Sequence, residues 1–510
     1  MQRVRLAELC ASTSLFTDLG TGQPAEHGLR TCVVAMRLAE ALGLDDGDRC
    51  EVFYVTLLRF LGCTADAHHV AAMAGGDDVR LLGGMATVTM GSPGEELAQM
   101  IRLVGEGMPL PRRMVALARA LADPAGKDPL LQAHCEVAAR LAREMGLPHG
   151  VVSALEVAYA RWDGRGVPRG VAGDSIPVAM QVAIVARDVE LWGRETDVDI
   201  TTQVLRRRRG RAYSPVVVDA VLKGGVAWLR DYPRDLWEAV LDSEPKPWLE
   251  VGGQDIDGAL GALGDFADLK APELAGHSRR VARITSDAAM IAGLDPSTCR
   301  DLSRAGSVHD LGMVAVPLGV LRAPPSPGTA AWERIRMHPL WTQRILERCT
   351  GLEPVATMAG RHHERVDGSG YPAAVTGMEP AGVGLLVCAA AYDELTSPGP
   401  VGRPMEPAEA AEELGRLAAS GALRIDDVKA VLEAVEVASP LVEVERPAGL
   451  TEREVDVLTL MARGDTNRQI AVSLGISPKT VGTHVEHIYS KLAVKTRAGA
   501  TLFAVQNGLV

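Results

Sequence analysis

Aromatic residues make up only 4% of the 510 residues, while Ala, Leu, Val and Gly dominate, which argues against a β-sandwich and for helices. No two of the eight cysteines (Cys10, Cys32, Cys50, Cys63, Cys135, Cys299, Cys349, Cys388) form a CxxC pair. That spacing suits reduced thiols better than a disulfide framework or a zinc knuckle. Long apolar runs are missing too: Ile176 to Ala186 and Gly384 to Tyr392 are too short to span a bilayer. The amphipathic start, MQRVRLAELC, is not followed by a signal-peptide core, so a cytoplasmic protein without membrane contact is expected. An excess of positive charge is also absent. Lys and Arg number 53 against 65 Asp and Glu, for a net charge of −12, so any nucleic-acid contact must come from a local patch. What is present, 47% hydrophobic and 23% charged residues, is ordinary for a globular chain of two to four domains.

The clearest local pattern lies near the C-terminal end. Thr451 with Glu454 three residues later is a capping box, and Val455, Leu458 and Met461 follow at helical spacing up to Gly464. Thr466 caps a second helix carrying Ile470, Ala471 and Leu474, which Gly475 breaks and Ile476 plugs. Ser477-Pro478 opens a third, with proline at the first helical position. This helix, to about Leu492, buries Val481, Val485 and Ile488 and offers Lys479, Thr480, Thr483, His484, His487 and Lys491 near its exposed end or flank. Two short helices joined by a Gly-containing turn, the second polar on its free face, suit a DNA major groove. A small solvated bundle fits the same pattern. The stretch LTEREVDVLTLMARGDTNRQIAVSLGISPKTVGTHVEHIYSKLAVKTRAGA closely resembles the LuxR/NarL-type helix-turn-helix, through Glu454, Asn467, Ile470, Ala471, Leu474, Ile476, Ser477, Thr480, Val481, His484, Lys491, Leu492 and Arg497. The resemblance implies double-stranded DNA as a partner and a final helix, Arg497 to Gln506, that joins a homodimer over paired half-sites. Gly482 stands where many members carry Lys, and Ala493 replaces a common Gly, so the operator does not transfer from relatives.

Upstream, the chain repeats itself. Phe16, Asp18, Leu19, His27 and Arg30 recur 250 positions later as Phe266, Asp268, Leu269, His277 and Arg280, and Leu61-Gly62 recurs as Leu311-Gly312. Beyond an insertion the offset falls to 204, where His134 matches His338 and the run Arg161 to Pro168 matches Arg365 to Pro372. The register implies a tandem duplication of a domain. The insertion, roughly Cys63 to Ala133 with His68-His69, reads as a Gly-rich surface loop, and Arg206 to Arg209 as a solvated helix end. The expected organisation is a first copy over 1–240, a second over 241–438, a linker over 439–449 and a DNA-binding domain over 450–510.

The second copy holds Glu273 and His277, then His309-Asp310, His338 and His362-His363-Glu364. Imidazoles with carboxylates suit iron, manganese or zinc. Such ions polarise a phosphoryl oxygen and acidify a bound water, and a carboxylate such as Asp310 can bridge two of them. The glycines of Asp367-Gly-Ser-Gly-Tyr-Pro372 make tight turns that set Tyr371 beside the site. The stretches HDLGMVAVP, His338-Pro339 and HHERVDGSGYP resemble the HD-GYP family of metal-dependent phosphodiesterases over about Phe266 to Pro404. The resemblance implies an all-α fold and two or three divalent ions, iron or manganese favoured and zinc possible. It implies Glu273, His277, His309, Asp310, His338, His362 and His363 as ligands with Asp310 also catalytic, Asp367, Tyr371 and Arg403 on the substrate, and a cyclic dinucleotide such as cyclic di-GMP as that substrate. Three positions depart from the family. Met313 replaces a Lys that faces the phosphate, Ala390 replaces a late Asp ligand, and Gly399 replaces an Arg, with Arg403-Pro404 close behind. Asp393, one turn from Ala390, could serve only if the helix were rotated.

The first copy has lost more. Gln23 stands for Glu273, Arg59-Phe60 for His309-Asp310 and Ala158-Tyr159 for His362-His363; His27 and His134 remain, with Asp188 one register from the late Asp position. A degenerate domain kept for packing, dimerisation or ligand sensing is expected. The whole then reads as a transcription regulator whose HD-GYP-like domains sense a nucleotide or metal; the alternative is an active metal phosphodiesterase with a DNA-binding tail.

Overall fold

The computed structural model describes residues 3–88, 92–106, 108–122, 127–324, 329–377, 380–438, 447–494, 496–506 and 509. It is helical, as the composition predicts, and the sheet among the described residues is one two-stranded antiparallel ribbon, Arg3–Arg5 with Glu250–Gly252, in which Val4 faces Val251. The chain divides into two compact units, Met1–Pro440 and Leu441–Val510. Residues 439–446, most of the expected linker, lie outside the described residues, and 447–449 form a short 3₁₀ turn.

In the first unit the repeat is visible as architecture. Helices His27–Ala41 and His277–Ile291 start 250 residues apart, as do Asp46–Leu58 and Pro296–Val308. Their entries are built alike: Asp18 accepts from the Gly28 amide (3.2 Å) and Asp268 from the Ser278 amide (3.0 Å). At offset 204, His149–Leu155 answers to Glu353–Ala359, and both Arg161–Pro168 and Arg365–Pro372 end in a cis X-Pro bond. The repeated Leu-Gly has a steric cause. A Cβ on Gly62 would lie 2.0 Å from the His134 carbonyl oxygen, and one on Gly312 2.1 Å from that of His338, so each copy needs glycine where these backbones cross.

The two copies share one packed body. The Glu8 carboxylate accepts from the Thr350 amide (2.7 Å), and Thr64 Oγ1 donates to the Phe266 carbonyl (2.8 Å). The insertion departs from the loop expected of it. It carries helices Ala67–Ala74, Asp78–Met85, Pro93–Leu103 and Leu110–Ala122, with Gly75 in the left-handed conformation that ends the first and Asp77 capping the second. Gly75 therefore punctuates helices rather than marking a loop. It also reaches the second copy, where Asp78 is fully buried against Lys270 Nζ (2.5 Å) and accepts from the Leu318 amide (2.7 Å). The end of the 198–208 helix is not wholly solvated either, because Arg208 is buried on Asp188 (2.8 Å).

The second unit is the set of four helices read from the sequence: Glu452–Ala462, Asn467–Ser473, Pro478–Lys491 and Arg497–Gln506. Thr451/Glu454 and Thr466/Gln469 form capping boxes, and Ser477 caps the Thr480 amide. Leu458, Met461, Ile470, Val481 and Ile488 are buried together with Ala500 and Ala504 of the last helix. Arg497 fastens that helix by donating to the Met461 carbonyl (2.6 Å).

Candidate metal centre and nucleic-acid interface

Two helix ends and two helix starts in the second copy aim imidazoles at one carboxylate. His309 follows the Pro296–Val308 helix, His362 follows Glu353–Ala359, and His338 and His277 open His338–Leu346 and His277–Ile291. The ring nitrogens pointing away are all engaged: His309 Nδ1 donates to Gly306 O (2.8 Å), His338 Nδ1 to Ile335 O (2.6 Å), His362 Nδ1 to Ala359 O (2.6 Å) and His277 Nδ1 to Asp393 (2.7 Å). These bonds fix the tautomers, so the Nε2 lone pairs face inward.

Inward, those atoms crowd. His277 and His309 Nε2 are 3.1 Å apart, and His338 and His362 Nε2 are 3.0 Å apart. The second pair lies 3.2 Å from Asp310 Oδ1 and the first 3.6 Å from Oδ2. Buried Oδ1 has no hydrogen-bond partner. Converging bare acceptors are unfavourable unless cations lie among them, and the donor set fits divalent metals of the iron, manganese and zinc group. Two candidate groups result, Asp310 with His338, His362 and His363, and His277 with His309 and Asp310, sharing Asp310.

Electrostatics follow from this packing. Burial would raise the Asp310 carboxyl, but His309, His338 and His362 around it hold it well below the usual carboxylate range. Burial takes His309 down to about 3 and lowers His362 and His363 as well. His277 goes the other way: the Asp393 hydrogen bond and the Asp310 charge overcome burial and hold it at about 9, so a metal ion would bind its Nε2 by displacing a proton.

The remaining expected residues are placed as follows. Glu273 is outside both groups, paired with Arg322 (2.7 Å). Tyr371 stacks on His363 with ring centroids 4.6 Å apart, whereas Asp367 folds back on the Ser369 amide (2.9 Å) and Arg403 is exposed on the stretch after Val383–Thr396. Met313, at the family's Lys position, packs against an apolar cluster that includes Val316 and Leu318. Ala390 is buried. Asp393 does not take the missing ligand's place; it grips His277 from behind and is itself held by Arg280 at 2.6 and 3.0 Å. Sequence reasoning missed this clamp, although Arg30 and Arg280 stood in the repeat register. In the first copy Glu190 holds His27 and Arg30 (3.1 Å) in the same way.

In the second unit Lys479, Thr480 and Thr483 are exposed on the Pro478–Lys491 helix, with His484 half-buried. Lys491 is committed elsewhere, to Glu454 (2.6 Å) and Gly449 O (2.9 Å), and His487 lies 3.8 Å from Glu454. Residues 450–510 hold seven Lys and Arg against five Asp and Glu, a local charge of +2 in a chain of −12. No helix among the described residues is long and apolar enough to cross a membrane.

Comparison with known proteins agrees with the metal-centre and DNA-binding parts. Residues 262–426 match the HD domain, and residues 448–504 match the bacterial regulatory proteins of the luxR family. The chain is 28% identical over 390 residues to the 3′3′-cGAMP-specific phosphodiesterase 3 of Vibrio cholerae, covering 73% of this chain and 82% of that one. So long a match must run well into the first half. The crystal structure of a cyclic GMP-AMP specific phosphodiesterase from V. cholerae superposes with a TM-score of 0.58 at 22% identity, over 86% of this chain and 99% of that one, a likeness of fold. The last part is 51% identical over 67 residues to the uncharacterized transcriptional regulatory protein YhcZ of Bacillus subtilis. That match covers 13% of this chain and 31% of YhcZ. The response regulator protein VraR of Staphylococcus aureus is 48% identical over 61 residues, 12% of this chain and 29% of VraR.

Proposed function

We propose that this chain, an HD domain joined to a DNA-binding domain of the bacterial LuxR family, is a transcription regulator whose HD-type part senses a nucleotide or metal and sets the DNA affinity of residues 450–510. The observation that carries the reading is an asymmetry. The helix-turn-helix keeps its caps, its core and an exposed Lys479, while the metal centre keeps its histidines but has Met313 and Ala390 where a cation and a carboxylate would serve catalysis. Loss of groups that stabilise developing charge lowers turnover far more than it lowers binding. A cyclic dinucleotide is the ligand class that the Vibrio relative, a 3′3′-cGAMP-specific phosphodiesterase, suggests, with cyclic di-GMP the candidate that the HD-GYP resemblance implies.

Divalent metal, iron or manganese in preference to zinc, would be held by His277, His309, His338, His362 and His363, two ions sharing Asp310. Bound there, it would supply a Lewis acid for a phosphoryl oxygen. The chain's own part is to orient these imidazoles through Gly306, Ile335, Ala359 and Asp393, and to stack Tyr371 behind His363. The proposed boundaries are a degenerate copy over 1–240 and an HD-type copy over 241–438. A homodimer through the Arg497–Gln506 helix would read paired half-sites, within the cytoplasm.

Selection from a random duplex pool tests the reading. The full-length protein should enrich one sequence family, and failure to enrich any, with or without cyclic dinucleotides, defeats it. One observation favours a second reading, an active phosphodiesterase: the convergence of five histidines on Asp310. That reading requires hydrolysis of a cyclic dinucleotide, by protein loaded with manganese or iron, that disappears in Asp310→Ala.

A further inference from the structure

The first copy has a cavity of about 130 Å³ where its metal centre would stand. Its lining includes Arg59 and Phe60, at the positions of His309 and Asp310, and Tyr159, at that of His363. Arg161, Arg187 and Asp188 complete the charged wall. Leu82, Met85 and Val88 close one side, and they belong to the insertion that the second copy lacks.

The charges in this wall do not balance. Arg161 is satisfied by Asp163 (2.7 Å). Asp188 is shared by Arg187 (2.8 Å), Arg208 (2.8 Å) and the Tyr213 hydroxyl. Glu190, behind His27, is occupied by His27, Arg30 and Arg194. Arg59 is left without a carboxylate. Its Nε and Nη2 both donate to the Ala158 carbonyl (3.2 and 3.1 Å), while its buried Nη1 has no partner. The buried Nε of Arg187 is unpartnered as well. Both guanidiniums lie over the Phe60 ring, at 5.0 and 5.6 Å. Burial, and then the neighbouring Arg187, lower the Arg59 guanidinium to about 10. A guanidinium whose buried N–H has no acceptor is incompletely satisfied, and open N–H donors of a guanidinium fork match oxyanions.

From the cavity, the unpaired Arg59 and the open donors of Arg187, we infer that the first copy binds a phosphate-type oxyanion, either free or as the phosphoryl end of a mononucleotide. The volume is of the order of one small group, since a ~150 Å³ cavity holds a benzene, and a whole cyclic dinucleotide does not fit inside. Two organic cations occupy the place that metal ions would take in the second copy, so the duplicated fold has exchanged a centre that binds cations for one that binds anions. This deepens the sensor reading by naming a ligand class and its position. Its test reads binding in the absence of DNA, so either idea can fail alone.

Calorimetric titration of the full-length chain with inorganic phosphate, AMP and GMP, set against Arg59→Met and Arg187→Met, decides it. The wild type should show a saturable site, one per chain, that is at least tenfold weaker in each variant; metal-bound phosphate would be common to all three chains. Tighter binding of a mononucleotide than of phosphate identifies the carrier, and equal affinities mean that the phosphoryl group alone is read. Arg59→Met should also melt higher than wild type without ligand and should lose the rise in melting temperature that phosphate gives the wild type. Should Arg59→Met not fold, Arg59→Lys, which keeps the charge and loses the fork, should still weaken binding. Absence of a saturable site for all three probes, or affinity unchanged in the folded variants, overturns the inference.

Discussion

At His277 the nitrogen that faces away from the centre matters as much as the one that faces it. Asp393 holds Nδ1 at 2.7 Å and Arg280 holds Asp393, so the ring is set before any ion arrives. Removing such a partner costs about 10–100-fold in metal affinity. Asp393→Asn should therefore lower manganese or iron affinity by that order while the chain stays folded, as competition with a chelator would read; unchanged affinity would make Asp393 a bystander. The histidines were legible in the sequence because their motifs resemble those of the HD-GYP family, and the resemblance implies that they share one centre. The clamp was not, because it depends on the phase of one helix: Ala390 is buried at the expected ligand position, and Asp393, three residues on, reaches the back of the ring.

Among the elements, the four helices of residues 450–510 were readable because their signals are local caps and turns. The ion pair of Lys491 with Glu454 is not local, and it changes the role of a residue counted on the DNA-facing side. Lys479→Ala should leave the melting temperature unchanged and reduce the slope of log K against log salt by about 0.9, the loss of one phosphate contact. Lys491→Ala should instead lower stability. The Glu454 pair has a pH signature. Burial would raise this carboxyl, but Lys491 and the Thr451 capping bonds outweigh it and lower its pKa from 4.5. A carboxyl lowered on folding contributes stability that is fully present above its unfolded value and is lost as pH falls through its folded value. Glu454→Gln, which keeps the capping box but loses the Lys491 pair, should thus destabilise the unit by up to about 1 kcal/mol near neutrality, and the gap should close in acid; a gap independent of pH would contradict the assignment. The insertion shows the opposite failure of local reading. Its glycines suggested a loop, yet Gly75 and the Asp77 cap mark helix ends.

For the molecule as a whole, residues 1–440 form one body partly because Asp78 of the insertion meets Lys270 of the second copy out of contact with water. Breaking a buried pair from one side costs about 3–5 kcal/mol. Asp78→Ala should destabilise this unit by that order, and Asp78→Ala with Lys270→Met should recover most of the loss in thermal unfolding. No periodicity announces a contact across 192 positions, which is why the duplication was legible and its joining was not. The central claim is that DNA binding is the output of a ligand-sensing HD-type part. It is tested by the affinity of the full-length chain for its selected duplex, measured by fluorescence anisotropy with and without a saturating cyclic dinucleotide. The expected shift is at least about fivefold, the lower end of allosteric coupling. An unchanged affinity, with ligand shown to be bound in the same sample, would contradict it.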